Sequence, residues 1–245
     1  MNAPRLAPLL IRGCWLGLST ILVLGVVLFL LLAAMASSAW MVDGLLWRFE
    51  ALEKSPRLSQ RAHERLALGL HRTQDALIAP GTVLLFGDSH LAALPASLLG
   101  RAHNFALGGL SAGRLADHFA DYASIQRAGG IVLGAGTNDL VEGAGASAVL
   151  SAWSRLLAAL PAQVPALCVG IPEPAGAGPW PDAIALINRG VQDRCAARGL
   201  RFLAITPGRG AWAGIGWAAD GVHLNSDGSR LLASLIRASF QREGS

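Results

Sequence analysis

Cysteine is scarce in this sequence, and its scarcity limits the kinds of site that the chain can form. The 245 residues include Cys14, Cys168 and Cys195, with no Cys-x-x-Cys pair and no cysteine–histidine cluster at metal-ligand spacing. We therefore expect no metal site and no disulfide framework. Cys168 and Cys195 can pair in an oxidising compartment, but cysteine is a common core residue, so the sequence favours two separately buried thiols.

Clustered basic residues are also lacking. Lys and Arg number 20 against 16 Asp and Glu, which gives a formal net charge of +4, but Lys54 is the only lysine and no long basic run occurs. A protein that binds nucleic acid usually carries a basic patch or stripe. The composition therefore argues against a nucleic-acid partner.

Charged residues are absent from residues 13–42, and Leu, Val, Ile and Ala dominate the section from Leu16 to Ala36. As a helix, this run would be about 45 Å long, more than the hydrocarbon core of about 30 Å. We therefore expect a single membrane-spanning signal anchor at 13–42. A cleavable signal peptide is the alternative, because Ala34-Met35-Ala36 has the small-x-small form, although secretory apolar runs usually span only about 7–15 residues.

The flanks of this run predict its orientation. Trp15 and Trp40 stand near its two ends, where indole rings favour the membrane–water interface. Arg5 and Arg12 precede the run, which favours a cytoplasmic tail at 1–12, although basic residues soon after the run weaken the contrast. We expect a single-pass protein of the inner (cell) membrane, with the remainder of the chain in the periplasm.

Residues 43–81 follow with an amphipathic helical pattern that Pro56 interrupts and Pro80-Gly81 ends. The simplest interpretation is a helical stalk packed on the domain that follows. Contact of residues 43–78 with the membrane surface, or with a partner in a membrane complex, is the alternative.

Residues 82–245 alternate short apolar runs with helical patterns, which predicts a parallel sheet covered on both faces. Right-handed crossovers make this an α/β fold, a three-layer α/β/α sandwich with five parallel strands. The predicted strands are Val83–Gly87, Ala102–Ala106, Ile131–Gly134, Ala166–Ile171 and Arg201–Ile205. The predicted helices are Leu91–Leu99, Ser111–Arg127, Ala146–Leu160, Asp182–Arg198 and Ser226–Arg242.

A serine follows the first of these strands. The run from Thr82 to His90 is apolar until Gly87-Asp88-Ser89, where the glycine permits a sharp turn. Such a turn presents Ser89 at the carboxyl edge of the sheet, where open α/β sheets bind their ligands. A serine hydroxyl needs a base and an oxyanion site before it can attack a carbonyl group.

Three later stretches can supply these parts at the same edge. Gly109, after the second strand, can aim a backbone N–H at an oxyanion, and Asn138, after the third, can donate a side-chain N–H to it. Asp220 and His223 share one turn before the last helix, so the carboxylate can orient the imidazole. Each stretch alone is also an ordinary turn or helix cap, and only their combination predicts catalysis.

The combination resembles the four sequence blocks of the GDSL/SGNH hydrolase family. Over residues 82–241, the matching blocks are Gly87-Asp88-Ser89, Gly109, Gly136-Thr137-Asn138-Asp139 and Asp220-Gly221-Val222-His223. The resemblance implies a flavodoxin-like fold, a catalytic triad of Ser89, Asp220 and His223, and no cofactor. It also implies an oxyanion hole made by the backbone N–H groups of Ser89 and Gly109 and the side chain of Asn138. The Gly-x-Ser-x-Gly pentapeptide of α/β-hydrolases is absent.

Four residues near these blocks are candidates for substrate contacts. His90 stands where the family often has Leu, and we expect a helix-start or rim residue, with a substrate contact as the alternative. Trp180, Trp212 and Trp217 lie in loops ahead of the later helices. Exposed indoles there would suit stacking on a sugar ring or an acyl chain, but packing under long loops explains them equally well.

The expected activity is hydrolysis of an O-acyl ester through an acyl-enzyme on Ser89. Because the family includes carbohydrate acetyl esterases, lipases, lysophospholipases and thioesterases, the resemblance fixes the reaction better than the substrate. A domain tethered outside the inner membrane makes an acetylated cell-surface or secreted polysaccharide our first choice. Transfer of the acetyl group to a sugar hydroxyl is the main alternative. The further alternatives are a lipase or lysophospholipase, a thioesterase, and a non-catalytic subunit of a polysaccharide synthesis or secretion complex.

Overall fold

A computed structural model of the protein describes residues 23–29, 56–173 and 180–241. The chain divides into two compact units, Met1–Ala62 and His63–Ser245. In the first unit, residues 23–29 form an exposed helical segment, and the rest of the predicted anchor at 13–42 lies outside the described residues. Within the described ranges, no helix is both long and apolar enough to cross a membrane.

The second unit is built on one sheet of five parallel strands, which confirms the prediction. In chain order the strands are β1 (Val83–Gly87), β2 (Ala102–Asn104), β3 (Gly130–Gly134), β4 (Ala166–Val169) and β5 (Arg201–Leu203). Their order across the sheet is β2-β1-β3-β4-β5, and all neighbours are parallel. The chain reverses its direction of travel across the sheet between β2 and β3. The switch point, where such sheets bind ligands, therefore lies between β1 and β3.

Helices connect the strands and cover the sheet. In chain order they are α1 (Pro56–Leu77), α2 (Ser89–Ala92), α3 (Ala112–His118), α4 (Thr137–Val141), α5 (Ala146–Ala159), α6 (Pro181–Ala196) and α7 (Ser226–Gln241). Short 3₁₀ turns lie at Ala96–Leu99, Phe119–Asp121, Ala123–Arg127 and Gly210–Trp212. The last three predicted helices are confirmed as α5, α6 and α7, with small differences at their ends.

Two predicted helices are wrong as continuous elements. The segment 91–99 divides into α2 and a 3₁₀ turn because Pro95, with φ −61° and ψ 120°, has no N–H to continue the helix. The segment 111–127 stops being α-helical after α3. A new turn begins at Ala123 because Asp75 of α1 accepts a hydrogen bond from the Ala123 backbone N–H at 2.9 Å.

The sheet lies between two apolar cores, because successive residues of a strand face opposite sides. On one side, Leu84 and Leu133 pack with apolar residues of α3, α5 and α6. On the other side, Leu85 and Val132 pack with residues of α2 and α7. The second unit is therefore the predicted three-layer α/β/α sandwich.

Polar contacts fix α1 to the sandwich within the second unit. Glu64 forms an ion pair with Arg114 at 3.1 Å, and a hydrogen bond of 2.9 Å joins His71 Nδ1 to the Tyr122 hydroxyl. This part of the predicted stalk therefore packs along the domain that follows it. Residues 43–55, the earlier part of the stalk, lie outside the described residues.

Cys168 and Cys195 form a disulfide, so the prediction of two separate thiols is wrong. Cys168 lies in β4 and Cys195 near the end of α6, and both are fully buried. Because α6 packs across the sheet face that carries Cys168, the two Cα atoms come within 6.7 Å, inside the range that a disulfide can bridge. The two residues are 27 positions apart, so their approach depends on tertiary packing rather than on a local pattern.

Candidate active site

The turn after β1 places Ser89 at the edge of the sheet. Gly87 ends β1 opposite Gly134 of β3, and a side chain on Gly87 would collide with the Gly134 carbonyl oxygen. The buried Asp88 accepts a hydrogen bond from the His90 backbone N–H at 3.1 Å and so caps α2. Ser89 is therefore held as the first residue of α2, next to the switch point between β1 and β3.

Two hydrogen bonds in series join Ser89 to Asp220. His223 Nε2 lies 2.7 Å from Ser89 Oγ, and His223 Nδ1 lies 2.6 Å from Asp220 Oδ2. Asp220 Oδ1 accepts the backbone N–H groups of Val222 and His223, each at 2.9 Å. The backbone N–H and the imidazole of His223 hold the pKa of Asp220 well below its usual range. The carboxylate therefore stays ionised well into the acidic range.

An ionised Asp220 fixes the tautomer of His223. Because the carboxylate can only accept hydrogen bonds, Nδ1 carries the proton and Nε2 presents its lone pair to the Ser89 hydroxyl. His223 can thus take the serine proton while the carboxylate stabilises the resulting imidazolium. The turn is braced by a bridge between Trp217 and Leu224 and by a 2.7 Å hydrogen bond from Ala218 N–H to the His223 carbonyl.

The predicted oxyanion donors follow neighbouring strands at this edge. Gly109 lies in the turn after β2 with φ 78°, a conformation that favours glycine. Asn138 lies in the first turn of α4 after β3, and its Nδ2 donates to the Leu110 carbonyl at 3.2 Å. Because β2 and β3 flank β1, both loops border the turn that carries Ser89.

Asp139 holds the loop after β2, a role that was not predicted. Its buried carboxylate accepts the backbone N–H groups of Ala112 at 2.7 Å and Gly113 at 3.4 Å. Burial raises the pKa of Asp139, while these N–H groups act in the opposite direction. The only sequence signal for this role was its place directly after Asn138 in the third block.

Arg114 joins the same loop to α1 and was also missed. Its guanidinium donates to the Gly109 carbonyl at 2.7 Å and to Ser111 Oγ at 3.2 Å. It also pairs with Glu142 at 2.8 Å and with Glu64 of α1 at 3.1 Å. No local pattern points to Arg114, because both glutamates are distant from it in the chain.

His90 lies in the first turn of α2, as expected, but it is buried rather than placed on a rim. The residue is 7% exposed, and its ring centroid lies 5.3 Å from that of His223. Burial is the main cause that lowers the pKa of His90, and the Asp88 carboxylate opposes it. His90 is therefore neutral at neutral pH.

A small pocket opens beside His90. It is also lined by Asp88, Thr137, Ile171 and Pro172. Among the described residues, His90 Nδ1 and Thr137 Oγ1 have no hydrogen-bond partner although both atoms are buried. Buried polar atoms normally have partners, so this pocket favours a small occupant that can form hydrogen bonds.

Burial of three histidines predicts a loss of stability in mild acid. Burial lowers the pKa values of His71, His90 and His103 below their ordinary value. Between that value, about 6.5, and the lower folded values, the unfolded chain binds more protons. The free energy of unfolding should therefore fall as the pH falls from about 7 to 5, and the melting temperature should fall with it.

Two histidine variants test this pH dependence of stability. His90→Leu should reduce the fall in melting temperature between pH 7 and 5, whereas His63→Gln, at an exposed position, should leave it unchanged. The raised pKa of Asp139 acts in the opposite direction on stability, so the difference between variants is more informative than the total slope. Identical pH profiles for His90→Leu and the wild type would contradict the prediction.

The three loop tryptophans lie in different environments. Trp180 precedes α6 and is 42% exposed, and Trp217 is half-buried next to the turn of His223. Trp212 is 3% exposed and belongs to the core beside α7. Trp212 therefore packs under a loop, the alternative to a substrate contact. Trp180 and Trp217 keep surface that a substrate can reach.

A serine hydroxyl, an imidazole and a carboxylate in series, at the carboxyl edge of a parallel sheet, define a serine hydrolase. Only two residues separate Asp220 from His223, unlike the widely spaced triads of other serine hydrolases. In the part of the chain that the structure describes, no group of three or more His, Cys, Asp or Glu side chains could hold a metal ion.

Comparison with known protein families shows which kind of serine hydrolase this chain is. The GDSL-like Lipase/Acylhydrolase family matches residues 79–231, more than half of the chain, and the chain belongs to this family. A search of curated proteins found no match. The protein is therefore a serine esterase of the GDSL acylhydrolase type.

Solved structures show the same fold. A lipase/acylhydrolase from Enterococcus faecalis is 18% identical, with a TM-score of 0.57 over 66% of this chain and 96% of its own. A GDSL-like lipase from Bacteroides thetaiotaomicron is 15% identical, with a TM-score of 0.59 over 71% and 97% of the two chains. A carbohydrate esterase family 3 protein from Talaromyces cellulolyticus is 17% identical, with a TM-score of 0.51 over 66% and 97%.

Proposed function

We propose that this protein is a membrane-anchored esterase that removes O-acyl groups, chiefly O-acetyl, from a cell-surface or secreted polysaccharide. The observation that carries the proposal is the hydrogen-bonded series from Ser89 through His223 to Asp220. The protein's likeness in fold to a carbohydrate esterase supports the proposal that the substrate is a carbohydrate ester.

In the proposed reaction, Ser89 Oγ attacks the ester carbonyl carbon while His223 Nε2 takes the hydroxyl proton. The carbonyl oxygen becomes an oxyanion that accepts the N–H groups of Ser89 and Gly109 and the amide of Asn138. Each such donor lowers the barrier by about 3–4 kcal/mol. His223 then gives the proton to the leaving sugar oxygen, which leaves an acetyl group on Ser89. A water molecule then attacks the acetyl group in the same way, with His223 taking its proton and returning it to Ser89, and acetate is released.

Replacing Arg114 by Ala is expected to lower kcat for p-nitrophenyl acetate about 10- to 100-fold, with little change in KM. The Gly109 carbonyl loses its support, but no group that touches the substrate is removed. Arg114→Lys should restore only part of the rate, because an ammonium group cannot reproduce the planar fork. Arg230→Ala, which breaks an exposed ion pair with Asp227 on α7, is the matched control. Equal rates for both alanine variants would contradict a positioning role.

The small pocket beside His90 would hold a short acyl group. Its lining is largely apolar, but it includes an imidazole and a hydroxyl, those of His90 and Thr137, which a long aliphatic chain would contact unfavourably. His90→Leu should therefore raise the ratio of kcat/KM for butyrate over acetate esters by about 10-fold. Thr137→Val, which keeps the shape and removes the hydroxyl, should act in the same direction. An unchanged ratio in both variants would contradict this role of the pocket.

The disulfide supports a location outside the cytoplasm. Structural disulfides persist in oxidising compartments, so the bond between Cys168 and Cys195 is consistent with a periplasmic domain behind an anchor at 13–42. Fractionation tests the anchor: we expect the full-length protein to stay in the membrane pellet after a high-salt wash. Its recovery in the soluble fraction would contradict a retained span.

Acetate release tests the substrate. The full-length protein in detergent should release acetate from an O-acetylated polysaccharide with a higher kcat/KM than it shows for a lysophospholipid or an acyl thioester, and Ser89→Ala should release none. A higher kcat/KM for either of the other esters would overturn the polysaccharide assignment. Transfer of acetyl to an added alcohol in preference to water would make the protein an O-acetyltransferase.

A further inference from the structure

One polar side chain stands among the buried residues of α6. Asn188 is 6% exposed, whereas the other buried residues of this helix are Ile184, Ile187, Val191 and the disulfide-bonded Cys195. Taking an amide group out of water costs free energy unless its oxygen and its nitrogen both find hydrogen-bond partners. Asparagine at this position therefore points to a contact that an apolar side chain could not make.

Asn188 binds the backbone of Ile171, in the loop after β4. Asn188 Oδ1 accepts the Ile171 N–H at 2.9 Å, and Asn188 Nδ2 donates to the Ile171 carbonyl at 2.9 Å. The regular pairing of β4 with β3 ends at Leu133 and Cys168, so these backbone groups lie beyond the ladder between the two strands. Two buried hydrogen bonds to one residue thus fix this loop to α6.

The side chain of Ile171 packs in turn against the residues that begin α4. Gly136 is the N-cap of α4 with φ 141°, and a β-carbon on Gly136 would lie 2.7 Å from Ile171 Cδ1. Asn138 follows two residues later, and its Nδ2 donates to the Leu110 carbonyl at 3.2 Å, the long end of the usual range. The direction of the Asn138 amide therefore depends on the backbone of α4, which Ile171 supports.

We infer that Asn188 is a positioning residue for ester hydrolysis, which acts through Ile171 to aim the Asn138 amide at the oxyanion. A donor stabilises the transition state only when it lies about 2.7–3.1 Å from the developing charge, so a small shift of α4 lowers the rate. This inference rests on the oxyanion role of Asn138 in the proposed function. It depends neither on the polysaccharide substrate nor on the anchor.

Hydrolysis of p-nitrophenyl acetate by the full-length protein in detergent tests this role. Asn188→Leu keeps a side chain of similar size and removes both hydrogen bonds to Ile171. It should lower kcat about 10-fold with little change in KM. Val191→Ala is the matched control, because it removes buried apolar volume from α6 without removing a hydrogen bond, and it should keep the wild-type kcat. Urea denaturation checks that both variants are folded.

A second substitution separates positioning from a general loss of packing. Asn138→Ala alone should lower kcat about 10²-fold or more, because it removes an oxyanion donor. In this background, Asn188→Leu should lower kcat little further, since the group that it positions is already gone. The same loss of kcat in both backgrounds would place the action of Asn188 elsewhere and overturn the inference. An unchanged kcat in folded Asn188→Leu would overturn it as well.

Ile171→Val provides the test if Asn188→Leu does not fold. This variant keeps the backbone that binds Asn188 and removes the Cδ1 methyl that packs on Gly136. It should lower kcat in the wild-type background and have little effect in the Asn138→Ala background. Equal losses in the two backgrounds, or a loss in neither, would overturn the inference.

The same assay separates the failure of this inference from the failure of the proposed function. A wild-type protein no faster than Ser89→Ala would count against the esterase reaction, and the positioning role would fall with it. Hydrolysis that depends on Ser89 but not on Asn188 would overturn the positioning role alone. A wild-type kcat in Asn138→Ala would overturn the oxyanion role of Asn138 together with its positioning by Asn188.

Discussion

Replacing Ser89 by Ala is expected to lower kcat for p-nitrophenyl acetate about 10³-fold or more. The hydroxyl that lies 2.7 Å from His223 Nε2 is the only group in the series that can form the acyl-enzyme. His223→Ala should cost a similar factor, and the double variant should lose little more than either single variant, because the two side chains act as one unit. The rates are measured under steady-state conditions with purified full-length protein.

The control for this prediction is a serine that plays no part in the site. Ser234→Ala removes an exposed hydroxyl on α7 that donates only to the Leu231 carbonyl. Its kcat should match that of the wild type. A Ser89→Ala variant that retains wild-type activity would sink the assignment of the nucleophile. Additive losses in the Ser89 and His223 variants would sink their assignment to one catalytic unit.

Removing the disulfide should have the second largest effect, on stability rather than on rate. The two cysteines are 27 positions apart, so loss of loop-closure entropy predicts a decrease of about 3–4 kcal/mol in the free energy of unfolding for the double variant Cys168→Ala, Cys195→Ala. Because the bond between β4 and α6 contributes no group to the series from Ser89 to Asp220, the folded variant should keep its KM. Urea denaturation at neutral pH measures the loss.

Two comparisons make this prediction specific. Cys14→Ser, at the cysteine outside the disulfide, should leave the urea midpoint unchanged. Adding a reductant to the wild type should move its midpoint toward that of the double variant, while leaving the double variant unaffected. A double variant with the wild-type midpoint would contradict a stabilising role for the bond.

The parts of the fold that follow local patterns were predictable. β1 and β3 are runs of buried apolar residues ended by Gly87 and Gly134, and such runs indicate buried strands regardless of their neighbours. The residues of the candidate site were equally predictable from the sequence, because Ser89 and Asn138 come just after strands and Asp220 lies among turn residues.

What was missed depends on residues that meet only in the folded chain. The break at Ala123 requires the carboxylate of Asp75, which reaches it from a different helix. The support of the Gly109 loop by Arg114 requires Glu64 and Glu142 to meet at one guanidinium. Periodicity and spacing describe neighbours along the chain, so they carry no information about contacts between residues that are distant in the sequence.

The attachment of α1 also sets a lower limit for shortening this enzyme. A truncated chain that begins at residue 79, where the family match starts, would lose the Asp75 carboxylate that satisfies the Ala123 N–H. It would also leave the Arg114 guanidinium without Glu64. A secreted or industrial version should therefore start no later than residue 63 and should carry polar substitutions at the exposed leucines of α1. The smallest working unit is larger than the family boundary suggests.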